Sequence, residues 1–106
     1  MIDNKGKPLS TRVIGLDKKL KEYFMITEKA LKKVKINKKT VKFDKEQIAR
    51  DFLDMAERYF EDAKYFEKKG DKITAFAALN YAHAFLDAGA RIKVFDVKDS
   101  KLFMVD

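Results

Sequence analysis

Cysteine is absent from the 106 residues, so no disulfide, thiolate metal site or cysteine nucleophile can form. Histidine occurs once, as His83, which rules out a multi-histidine metal site within one chain. Proline is represented by Pro8 alone, and with four glycines in total there is no glycine-rich loop to cradle a phosphate. No apolar run approaches the ~20 residues needed to span a bilayer. Met1 to Pro8 lacks the apolar stretch of a signal peptide. The expectations that follow are a cytoplasmic location, no cofactor, no metal and no membrane partner. No nucleophile motif stands out either, so the chain reads against an enzyme rather than for one.

What is present is charge and apolar bulk together. The charged fraction of 39% exceeds the ~25% of an average domain, yet hydrophobic residues at 46% leave enough material for a core. A chain of this length is expected to form one domain. Abundant Lys with Glu and Asp, and few amides, suit a heat-adapted, helix-rich protein. The net charge of +7 is unevenly placed. Residues 1–45 hold 14 Lys/Arg against 5 Asp/Glu, whereas residues 46–106 hold 10 against 12. The basic character therefore belongs to the first part of the chain.

Periodicity predicts an all-α protein, a three-helix up-and-down bundle with a short C-terminal tail. Residues 1–9, with Gly6 and Pro8, read as a mobile leader. From a cap at Ser10 or Thr11, apolar residues recur at Val13, Leu16, Leu20, Phe24, Leu31 and Val34, which predicts a helix over about 12–34. Asp44 with Gln47 three residues on has the form of a capping box, and a broad apolar face from Ile48 to Phe66 predicts a second helix over about 45–69. Lys69-Gly70-Asp71 combines a helix stop with the next start, so a third helix is expected over about 72–93 in an αα-hairpin with the second. Residues 96–106, with Leu102-Phe103-Met104-Val105, are expected to pack back on the bundle or on a partner.

The third helix is unusual. Between Ile73 and Ala90 its single charged residue is Asp87, so it is apolar nearly all round. One bundle face cannot cover such a helix. The expectation is therefore self-association into a homo-oligomer, or docking of a helical protein partner, over a surface that includes Ala75, Leu79, Ala82 and Leu86. Small residues, Ala75, Ala78, Ala82, Gly89 and Ala90, would permit close approach. The alternative is that the tail folds over that face within the chain.

Two polar features are candidates for function. Asn80, His83, Asp87 and Arg91 fall in one line along the third helix at 100° per residue. His beside a carboxylate is an acid/base arrangement, but the same spacing also makes a hydrogen-bonded network that fixes helix register. The second feature is a run of six lysines without an acid, Lys32, Lys33, Lys35, Lys38, Lys39 and Lys42, whose natural partner is phosphate. RNA or DNA binding is the alternative function that this run suggests. Cations near a helix C-terminus are also favourable for their own sake.

The run Tyr59-Phe60-Glu61-Asp62-Ala63-Lys64-Tyr65-Phe66, then Lys69-Gly70-Asp71, Ala75-Phe76, Asn80-Tyr81-Ala82-His83 and Leu86-Asp87-Ala88-Gly89-Ala90-Arg91, resembles a family of short archaeal proteins, domain of unknown function 357. The likeness extends over roughly residues 10 to 105 and includes Phe95-Asp96-Val97 and Leu102-Phe103. It implies a closed three-helix bundle and an archaeal source. It carries no established activity, so it transfers no catalytic residue and no cofactor. The Gly70-Asp71 turn is more loosely similar to tetratricopeptide hairpins, but that repeat is about 34 residues long. The second and third helices together run well past that length without an internal copy.

Overall fold

The computed structural model describes residues 9–99 and 101–103, and the chain divides into two units, residues 1–40 and 41–106. Three helices in the expected order and no strand among the described residues make the protein all-α.

The first unit contains α1, Leu9–Lys33. Ser10 and Thr11, expected to cap it, lie inside it instead. Serine and threonine cost a helix only a few tenths of a kcal/mol relative to better formers, so a helix can run through both. Of the expected leader, residues 1–8 lie outside the described residues, and Leu9 opens the helix. At the other end Lys32 and Lys33 occupy the last turn, where cations complement the helix dipole, and Lys32 Nζ sits 3.0 Å from Glu28 Oε1 one turn back. The Val34 N–H donates to Ala30 O at 3.0 Å and closes the final turn. Residues 34–44 are irregular. Within them Asn37 Oδ1 accepts the Lys39 N–H at 3.0 Å, the local bond by which asparagine replaces a backbone turn.

The second unit is built on a hairpin of α2, Lys45–Lys68, and α3, Lys72–Arg91. Asp44 holds an extended backbone and accepts the Gln47 N–H at 3.1 Å, so α2 begins where its cap chemistry predicts. Its end is a Schellman motif. Gly70 takes φ 79°, its N–H donates to Glu67 O at 3.0 Å, and the Asp71 N–H donates to Phe66 O at 2.9 Å. Asp71 then starts α3. One carboxylate oxygen accepts the Thr74 N–H at 3.1 Å and the other the Thr74 hydroxyl at 2.7 Å. A single residue thus closes one helix with its backbone and opens the next with its side chain.

The core of this hairpin is made of methyl groups. Ala56 and Ala63 of α2 and Ala75, Ala78, Ala82 and Ala90 of α3 are buried, and no large side chain among the described residues is fully so. Alanine at successive turns lets two helices approach closely. Each buried methyl brings less than ~1 kcal/mol, far below a fully buried leucine. The small-residue face expected to admit a partner therefore belongs to the hairpin itself. Gly89 is buried for a different reason. A Cβ built on it would overlap the Phe95 ring, so the chain beyond α3 lies directly on the helix backbone at this point.

A second Schellman motif returns the tail. The Lys93 N–H donates to Ala90 O at 3.1 Å and the Val94 N–H to Gly89 O at 2.9 Å, with Lys93 in the left-handed region at φ 63°. Farther on, Asp99 Oδ1 accepts the Lys101 N–H at 2.9 Å, and Asp99 O accepts the Phe103 N–H at 3.0 Å. This turn brings the Phe103 ring over His83, with centroids 6.5 Å apart and planes 17° from parallel.

Candidate functional site

Large side chains flank the alanine seam on both sides, and the two flanks differ. On one, Phe52 and Tyr59 of α2 meet Tyr81 and Phe85 of α3. Ring centroids are 5.7 Å apart for Phe52–Phe85, 5.1 Å for Tyr59–Tyr81 and 6.1 Å for Tyr59–Phe85. Those separations are the favourable aromatic range, and they leave Phe52, Tyr59 and Phe85 half-buried with Tyr81 exposed at the edge.

The other flank remains open. Leu53 and Phe60 of α2 face Leu79 and Leu86 of α3 across Ala56 and Ala82, and together they line a groove of about 360 Å³. Leu53 is 44% exposed, Phe60 47% and Leu79 43%. Glu57 and His83 stand at its rim. The groove follows from helical spacing, since positions seven apart return to nearly the same angle. Leu53/Phe60 on α2 and Leu79/Leu86 on α3 are such pairs.

The expected docking surface is thus divided by the structure. Leu79 and Leu86 line the groove and Ala82 forms part of its floor, while Ala75 is buried. Half of the groove comes from α2. Leu53 and Phe60 were legible as part of that helix's broad apolar face, but no local signal distinguishes the stripe that remains uncovered.

The polar line on α3 combines exposed and half-buried side chains. His83 Nε2 and Asp87 Oδ1 are 3.7 Å apart, too long for a hydrogen bond between those atoms and near enough for an ion pair once the imidazole is protonated. The His83 side chain is half exposed and Asp87 half-buried. Asn80 and Arg91, at the two ends of the line, are exposed. Of the four, His83 borders the groove and carries the Phe103 ring. Among the described residues no group of three or more His, Asp or Glu side chains is placed to hold a metal ion.

The six lysines of the candidate phosphate site, Lys32, Lys33, Lys35, Lys38, Lys39 and Lys42, are all exposed. Sequence reasoning missed what lies between them. Val34, Ile36, Val41 and Phe43 are exposed too, in an alternation with lysine that Val34-Lys35-Ile36 and Val41-Lys42-Phe43 display plainly.

Among the described residues no helix is long and apolar enough to cross a membrane. No curated protein and no solved structure matches the chain. A family model does match residues 22–95, from within α1 through the whole α2–α3 hairpin to the phenylalanine that lies on Gly89. That span is well over half of the 106 residues, and the chain belongs to the family described as protein of unknown function (DUF357).

Proposed function

We propose that the protein is a non-catalytic interaction module whose α2–α3 hairpin associates with a second copy of itself through the leucine-lined groove. The observation that carries this reading is the contrast between the flanks. On the aromatic side Phe52, Tyr59 and Phe85 half-bury one another with Tyr81 exposed at the edge, whereas Leu53, Phe60 and Leu79 leave over two-fifths of their surface to water along a continuous depression with no ring among the described residues laid across it. A core of alanine methyls contributes little by itself, so covering those three side chains together with Leu86 adds a large share of the burial this unit can gain. A two-fold axis across the groove places Leu79 and Leu86 of each copy against Leu53 and Phe60 of the other. The small residues beneath, Ala56 and Ala82, let apolar side chains from the opposing copy seat deeply.

Light scattering tests it. The native chain is expected at twice its 12.3 kDa mass. Leu79→Glu or Leu86→Glu places a charge in the buried centre and should weaken the dimer by more than about 30-fold while leaving helical circular dichroism unchanged. Tyr81→Ser, on the aromatic flank away from the groove, should leave the mass as it is. A native protein that stays at the mass of one chain up to about 100 µM, far above the Kd of a specific dimer, overturns the proposal.

A further inference from the structure

Four large apolar side chains among the described residues are more than 70% exposed, and all four fall between positions 31 and 43: Leu31 at 73%, Val34 at 71%, Ile36 at 86% and Phe43 at 71%. Val41, in the same stretch, is 58% exposed. Outside this stretch the most exposed large apolar side chains among the described residues are Phe24 at 68% and Phe76 at 66%, both within helices. From Lys29 to Phe43 there are seven lysines and no acid, with Glu28 and Asp44 as the flanking carboxylates. The segment after Lys33 is irregular, and among the described residues no ion pair engages Lys35, Lys38, Lys39 or Lys42.

We propose that residues 29–43 bind the surface of an anionic lipid bilayer. Lysines neutralise lipid phosphates, while the apolar groups interleaved with them enter the boundary between headgroups and acyl chains. Long lysine stems allow both at once, since the ammonium group can reach outward from a buried methylene chain. A bilayer is favoured over nucleic acid by the identity of the apolar residues. Single strands bind on aromatic platforms, and this segment has one aromatic ring, Phe43, among four aliphatic side chains. An aliphatic group such as Ile36 has no face for a base to stack on. It does have a place among acyl chains. Binding of this kind lies on the membrane and needs no spanning helix, consistent with the absence of one among the described residues.

The test is flotation of the full-length protein with vesicles of phosphatidylcholine alone and of phosphatidylcholine with phosphatidylglycerol, beside titration of a labelled oligouridylate. The native protein should float with the anionic vesicles and not with the zwitterionic ones. The double variant Ile36→Ser/Phe43→Ser, which keeps every charge, should lose at least about tenfold in vesicle partition. The triple variant Lys35→Gln/Lys38→Gln/Lys39→Gln should lose a similar factor. Circular dichroism reports that both variants retain their helices, as expected for substitutions in an exposed irregular segment. Vesicle binding that the serine variant leaves intact overturns the proposal. So does binding to oligouridylate without flotation, which assigns the lysines to nucleic acid, and so does failure to bind either probe.

Discussion

At Lys93 the backbone turns left-handed, with φ 63°, in the position after a helix where glycine is strongly preferred. A side chain there costs about 1 kcal/mol that glycine does not. Lys93→Gly is therefore expected to raise the thermal midpoint by several degrees, read from the circular dichroism melt. Gly89 presents the opposite case. Alanine is normally the better helix residue by about 1 kcal/mol, yet here its methyl would occupy the space of the Phe95 ring. Gly89→Ala should lower stability in the native background and raise it when Phe95 is also replaced by alanine, a reversal of sign that a double-mutant cycle measures. An effect of equal sign in both backgrounds would mean that the ring does not hold that position. The sequence offered a tail that folds back over the third helix as one alternative, but not where it returns, because its path to Gly89 depends on a lysine in an unfavourable conformation, which no propensity suggests.

The helices themselves were legible to different degrees, and capping chemistry explains the difference. Asp44 and Asp71 announce the starts of α2 and α3 because a carboxylate that satisfies exposed N–H groups acts within three residues of itself. Asp71→Ala should cost about 1–2 kcal/mol in a thermal or urea melt, more than an ordinary surface substitution, because it removes acceptors for both the Thr74 N–H and its hydroxyl. The start of α1 was missed, since Ser10 and Thr11 have capping side chains but lie within a helix that already begins at Leu9. The apolar circumference of α3 was legible in the sequence, but its division into stripes was not. Ala75, Ala78 and Ala82 are buried, Gly89 lies under Phe95, and the leucines, Leu79 and Leu86, line the groove with Leu53 and Phe60. Periodicity states which residues share a face. It does not state which of two adjoining stripes a neighbouring helix will occupy, because that depends on a crossing angle set by side chains from both helices.

Across the whole molecule, the charge and the exposed apolar groups are sorted by position. Lysines and the most exposed aliphatic side chains concentrate between 29 and 43, while the leucine-lined groove lies on the near-neutral hairpin. The two proposals are separable for that reason: glutamate at Leu79 should leave vesicle flotation unchanged, and serine at Ile36 and Phe43 should leave the mass unchanged. Salt distinguishes them as well, since raising it should release the lysine segment from an anionic surface and leave an apolar contact intact. The account depends most on the claim that a hairpin cored by alanine seeks cover for the leucines beside its seam. Light scattering across a concentration series measures this directly: the native chain should hold at twice 12.3 kDa and Leu79→Glu should fall to the mass of one chain, whereas identical masses for the two would contradict it.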